Sequence, residues 1–331
     1  MAFNIDNATD VVVNKSDRVL VEAVKDVQAH SIIGMESDVK GAARRPDILT
    51  DGTVFKEGDF DGTNDGGVKI EDVLFENALF TSEEKYQVAK LESTIIKLSK
   101  KRGVNPDDFP IEDAVLDIKK NDISRQYDKA VFLGDSADTG KTLSHFVDGL
   151  VKKIKASAAL NVDAPTALVN VKRSGVAASA FAAGTVIAKV LAFVNKFKST
   201  FNGVDDLARD LDGEMISVYI SPSQFQIWFQ ATYGTAGVIN ANTLNNGKLP
   251  KEAMHPSFNG DVKMVAVDGM KGSNEMFAGM PENFNEVVDG DAESDFMTMH
   301  FSKDQEAFLL HTAMRLGTKI IHLQDVLLQV V

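Results

Sequence analysis

Pro110–Leu150, PIEDAVLDIKKNDISRQYDKAVFLGDSADTGKTLSHFVDGL, is the stretch on which the fold turns. Pro110 sits where the first turn of a helix tolerates it. Ile111, Val115, Ile118, Ile123, Tyr127, Ala130 and Val131 then form an interrupted apolar stripe at helical spacing, closed by Leu133 and Gly134. A continuous helix from Ile111 to Leu133 would be about 35 Å long at 1.5 Å per residue. That suits a strut. The loop that follows, GDSADTGKT, invites comparison with the phosphate-cradling G-x-x-x-x-G-K-[ST] loop. Counting excludes it, because five residues separate Gly134 from Gly140, and the element before the loop is helical where the motif needs a strand.

Composition narrows the function classes. The 331 residues are 44% hydrophobic and 25% charged, ordinary globular values compatible with two domains. With no cysteine there are no disulfides and no thiolate metal sites. The net charge is −13, and the longest basic run is KLSKKR, so the concentrated basic surface that binds nucleic acid without sequence preference is missing. MAFNIDNATDVVVNKSDRV lacks the basic start and apolar run of a secretion signal, and Ser174 to Ala188 is too short for a membrane span. A soluble protein is expected.

Taken in order, residues 1–30 read as an extended arm leading into a short amphipathic helix with Val19, Leu20, Ala23, Val24 and Val27 on one face. Residues 31–80 are rich in glycine and poor in apolar residues, and read as a projecting hairpin. Within them DGTNDGGVKIED approaches the calcium-loop pattern, with Asp61, Asp65 and Asp72 as candidate ligands. Thr63 and Lys69 depart from that pattern, and a hairpin tip built of Gly, Asn and Asp reads the same residues equally well. Thr81 with Glu84 makes a capping box, and Lys97, Lys100, Lys101 and Arg102 gather before Gly103, so a helix is expected over 81–103.

Farther on, Ala167 to Val171 reads as a strand and Ala177 to Phe201 as an amphipathic helix. Met215 to Ile220 reads as a buried strand, and Ser221-Pro222 opens a helix holding Phe225, Ile227, Trp228 and Phe229. Trp228, the single tryptophan, is expected to anchor a core or a subunit contact. VKMVAV and FMTMHF read as strands. Ser302 with Gln305 makes a second capping box, predicting a helix through Ala307, Phe308, Leu310, His311 and Met314, and Lys319 to Val331 closes the chain as a strand.

Catalytic patterns are missing. The six histidines are dispersed with no pair at metal-ligand spacing, and His300 and His311 fall in apolar segments where a core imidazole is the default. No G-x-S-x-G occurs.

Three blocks together resemble the major capsid proteins of tailed bacteriophages, whose shell fold is shared with encapsulins. They are the long helix with Gly134, Asp135, Phe146, Gly149 and Leu150, the strand–Pro–helix segment VYISPSQFQIWFQ, and the closing strands. The resemblance implies an α+β fold divided into an N-terminal arm (1–30), an extended loop (31–80), a peripheral domain with the spine helix (81–170), an axial domain (171–290) and returning peripheral strands (291–331). It places Phe55, Lys56, Glu57 and Gly58 at the turn of a loop lying over the neighbouring subunit. It also implies self-assembly as hexamers and pentamers into an icosahedral head that encloses double-stranded DNA without sequence-specific binding. Portal, scaffold or decoration proteins would be partners, assembly would take place in the host cytoplasm, and neither cofactor nor catalysis is implied. The start at Met1 suggests that no scaffolding segment has been removed, leaving room for a separate scaffold. The alternatives are an encapsulin-type compartment, a calcium-dependent binding module and a metabolic enzyme.

Overall fold

The structure is a computed structural model. It describes residues 27–50, 68–87, 111–140, 142–160, 172–174, 182, 184–201, 215–234, 249–258, 260–289, 296–302, 307–323 and 326–329. In chain order the elements are α1 (Ala29–Ile32), β1 (Gly34–Glu36), β2 (Ala42–Thr50), β3 (Val68–Glu76), β4 (Ala78–Gln87), α2 (Ile111–Leu133), α3 (Leu150–Leu160) and β5 (Lys172–Ser174). They continue with α4 (Val186–Phe201), β6 (Ile216–Ile220), α5 (Pro222–Phe229), β7 (Glu252–Met254), β8 (Val262–Ala266), β9 (Met276–Gly279), β10 (Phe284–Val287), β11 (Phe296–Ser302), β12 (Ala307–Ile320) and β13 (Leu327–Gln329). The fold is α+β, and α2 spans the residues its spacing predicts.

A six-stranded sheet, β5-β13-β9-β6-β8-β7, forms the middle layer. Side chains alternate across a strand, and here both faces are covered. Tyr219, Val265, Phe277 and Leu328 point into a core shared with α2 and α3, while Ile216, Val218, Ile220, Met264 and Leu327 meet α4 and α5 on the other side. Ser221 and Pro222 start α5 as anticipated, and Trp228 is fully buried in that second core. At 25 cal/mol per Å² of apolar surface, each large side chain here contributes about 1.5–3 kcal/mol by leaving water.

A five-stranded sheet, β1-β10-β12-β11 with β4 also on β12, borders the first core. Its long member β12 lies between β11 and β4 over Ala307–Ala313 and turns to β10 at Gly317–Ile320. This corrects two expectations. Ala78–Gln87 is a strand, not the start of a helix, and Ala307–Ile320 is a strand where the second capping box predicts a helix. The rest of the expected helix over 81–103 lies outside the described residues. In β4, Phe80, Glu84 and Tyr86 are half-buried at period two while Leu79, Thr81, Glu83 and Lys85 face solvent. In β12, both faces are covered, so buried residues fall at Ala307, Leu310, Ala313 and Met314 and imitate a helical stripe. The closing strand differs too: β13 pairs with β5 and β9 in the six-stranded sheet, and β10 joins β1 and β12 in the other.

Within residues 31–80, which read as a projecting hairpin, residues 51–67 lie outside the described residues, while β2 and β3 pair antiparallel as a separate two-stranded sheet. Its base is fixed by Val39, Phe75 and Val287, backed by Ala43, Val73 and Ile321. Asn77 closes the neck: its Oδ1 accepts from the Gly41 amide at 3.0 Å, and its Nδ2 donates to the Val39 carbonyl at 2.6 Å. Gly41, at φ +86°, takes the left-handed turn that this closure requires.

Candidate assembly surfaces

Three features surround the spine helix α2. The first is the turn at its C-terminal end. Gly134 does not adopt a left-handed conformation; glycine is needed because a Cβ would collide with the carbonyl oxygens of Ala130 and Val147. The Gly149 amide donates to the Gly134 carbonyl at 2.9 Å, so the two glycines let the loop cross the helix end at backbone contact. Lys152, on α3, bridges Asp135 and Asp148 at 2.6 Å each, and Asp148 also accepts from the Ser136 amide at 2.8 Å. Partial burial alone would raise the Asp148 carboxyl. The bonds from Lys152 and Ser136 outweigh it and bring the pKa down to about 2. Thus Gly134, Asp135, Gly149 and Leu150 meet in one clasp, with Phe146 half-exposed beside it.

A groove of about 390 Å³ forms the second, between β4, α2 and the turn at Leu143–His145, walled by Phe80, Ile123, Leu143, Phe146 and Met314. On its rim Lys119 of α2 meets the Glu84 carboxylate at 2.5 Å, and the Tyr86 hydroxyl donates to the same carboxylate. Burial and the adjacent carboxylate push the Tyr86 phenol up to about 12. Burial would also raise Glu84, but the bonds from Lys119 and Tyr86 hold it below its ordinary value. Phe146 is 51% exposed at the groove, and Ile118 of α2 is 60% exposed, so the N-terminal half of the expected stripe does not enter the core at Ile118.

The third anchors the first described residues, from 27 on, to the core. Asp128 accepts from the Ala29 amide at 3.0 Å and caps α1. Gln28 reaches the Ala266 carbonyl at 2.7 Å and receives the Asp268 amide at 2.8 Å. Tyr219 donates to the Ile32 carbonyl at 3.1 Å. Glu286, fully buried on β10, accepts from Tyr127 at 3.2 Å and is bonded to His30 Nδ1. Sequence reading did not single out Glu286. A carboxylate flanked by Phe284 and Val287 in a buried strand is the signal that could have.

Phe55, Lys56, Glu57 and Gly58 lie outside the described residues, as do Asp61 and Asp65. Asp72 is an exposed residue of β3, opposite Pro46 and 3.8 Å from Arg44, and position twelve of the calcium pattern is here a paired strand residue. Among the described residues no group of three His, Cys, Asp or Glu side chains is placed to hold a metal ion, and no helix is long and apolar enough to cross a membrane. His300 is exposed and His311 lies on the surface 3.4 Å from Glu83; neither is the core imidazole expected.

No protein-family model and no curated protein matches the sequence. Solved structures do match. The capsid of Myoviridae phage XM1 superimposes with a TM-score of 0.53 at 11% identity, over 91% of this chain and 90% of that one. This is a phage-capsid fold. Mycobacterium phage Ogopogo gives a TM-score of 0.53 at 9% identity, over 92% and 91% of the two chains. The capsid of the native GTA particle gives 0.51 at 12% identity, over 93% and 89%. Nearly the whole of each chain takes part in these matches.

Proposed function

We propose that this chain is the major capsid protein of an icosahedral phage head, associating with copies of itself as hexamers and pentamers around double-stranded DNA. The observation that carries this reading is the end-to-end match of fold with the XM1 capsid, at almost equal coverage of both chains. The spine helix acts as the strut and the neck-closed hairpin β2–β3 as the arm that overlies a neighbour, with Phe55, Lys56, Glu57 and Gly58 at its contact. The six-stranded sheet with α4 and α5 forms the axial part of the subunit. The net charge of −13 keeps the wall from adhering to packed DNA, which is enclosed without being read. Portal, scaffold or decoration proteins join the assembly at the virion, after synthesis in the host cytoplasm.

Electron microscopy with mass measurement, on the protein expressed alone and with its neighbouring genes, tests this. Uniform closed shells containing DNA are expected. Shells filled with protein cargo would move the assignment to an encapsulin-type compartment. Monomers or small oligomers under every condition would overturn it. Replacing Phe55-Lys56-Glu57-Gly58 by Gly-Ser-Gly-Ser should abolish closed shells while the subunit's circular dichroism and melting stay unchanged.

A further inference from the structure

The core beneath α5 holds three polar side-chain atoms that are fully withdrawn from solvent and have no hydrogen-bond partner among the described residues: Trp228 Nε1, Thr232 Oγ1 and His255 Nε2. They are neighbours. Trp228 and Thr232 are four residues apart where α5 runs into a wider π-helical turn, Gln230–Gly234, and so share one face. The His255 ring lies 5.7 Å from the Trp228 ring, with Tyr233 edge-on to Trp228 at 6.1 Å and Phe258 4.9 Å from His255. The surroundings are an aromatic cage.

Proton positions follow from the contacts. His255 Nδ1 accepts from the Ser257 amide at 3.3 Å, which puts the ring proton on Nε2. Burial holds the imidazole below its ordinary pKa, in the neutral form. Trp228 Nε1–H and His255 Nε2–H are therefore both donors, and neither can satisfy the other. Buried polar groups in folded proteins are almost always paired, so each of these donors needs an acceptor. An anion is disfavoured because the nearby cations are already committed: Lys251 to Asp268 at 2.7 Å and Lys263 to Glu252 at 2.5 Å.

We propose that Trp228, Thr232 and His255 hold one buried water molecule, which accepts from both ring N–H groups and donates to Thr232 Oγ1. Three partners are the usual number for an internal water. The water joins α5 to the segment after β7, in addition to the ring contacts of the cage.

Because Trp228 is the single tryptophan, the indole N–H Raman band of the whole protein reports on this one bond. The band is expected at the hydrogen-bonded position in both free subunits and assemblies, and in Thr232→Val it should move toward the weakly bonded position. A density map fine enough to show ordered solvent should place a peak about 2.7–3.2 Å from Trp228 Nε1, His255 Nε2 and Thr232 Oγ1. A band at the position of an unbonded indole overturns the proposal. So does a carbonyl of residues 235–248 found as the acceptor, or a band that responds to exchange of chloride for bromide. An unchanged band in Thr232→Val removes Thr232 from the site and overturns the three-partner geometry.

Discussion

Glu286→Gln isolates the junction between α1, the spine helix and β10. The wild-type carboxylate offers one oxygen to Tyr127, at 3.2 Å, and the other to His30. Glutamine keeps the volume and one oxygen but sets an NH2 group against one of the two donors. One charge-assisted hydrogen bond is lost in a fully buried place, about 1.5–3 kcal/mol. Unfolding entropy of about 2.1 cal/mol/K per residue gives roughly 0.7 kcal/mol/K for a chain of this length, so the melting temperature should fall by about 2–4 °C. Denaturant titration of unassembled subunits should show a lower midpoint at constant slope. A double-mutant cycle with His30→Gln should give a coupling of at least about 0.5 kcal/mol. Limited proteolysis should begin to cut within residues 27–33. Stability equal to wild type, or strict additivity in the cycle, would refute the idea that His30 and Glu286 fix α1 to the spine helix and β10.

Three further outcomes follow from the same geometry. Gly134→Ala should cost about 1–3 kcal/mol by overpacking, read as a lower melting temperature, because the two nearest atoms its Cβ would meet are backbone carbonyl oxygens that cannot turn aside. Asp148 has a folded pKa of about 2 against an ordinary 3.8, so its contribution is present above about pH 4 and is lost as pH falls toward 2. Acid titration of wild type and Asp148→Asn should therefore converge at the low end. His255 is shifted the opposite way for a base: burial lowers its pKa below the ordinary 6.5, so the unfolded chain takes up the proton first and stability drops as pH falls below that value. Melting scans from pH 8 to 5 should show a steeper loss in wild type than in His255→Phe.

Helices that bury one face were legible from the residues, and so were strands with a continuous apolar run. The helix α2, the strand–Pro–helix unit around Ser221-Pro222, and β8 carry a helical stripe or a continuous apolar run, and each formed as read. β4 and β12 did not, for opposite reasons. In β4 the half-buried face includes Glu84, whose partial burial is offset by Lys119 from a distant helix and by Tyr86, so no local apolar alternation announces the strand. In β12 both faces are buried, and small residues Ala307 and Ala313 on one side with Leu310 and Met314 on the other produce spacings of three and four. Capping boxes then tipped both readings toward helix, though Thr81 and Glu84 are strand residues with other partners. The clasp at Gly134 and Gly149 was visible as two glycines, but its reason is close backbone approach, which only the folded path reveals.

The distribution of exposed apolar side chains bears on how such a subunit would assemble. Among the described residues, Met35, Leu79, Ile118, Phe146, Ile187, Met215 and Met254 are the exposed large apolar side chains, distributed over both sheets, the spine helix, the turn after it and α4. A single large patch would drive a tight dimer and stall there. Several small ones each give a weak contact, and a weak contact can break and re-form until the geometry closes. In a closed shell every subunit makes all of its contacts at once, and the second contact of each neighbour is intramolecular in cost, so the sum exceeds what any one face supplies. Two rigid pieces bear on this: the spine helix backs the groove walled by Ile123 and Phe146, and the paired strands β2 and β3 are held at their base by Asn77 and Gly41. Rigidity in both pieces lets modest contacts select a single curvature.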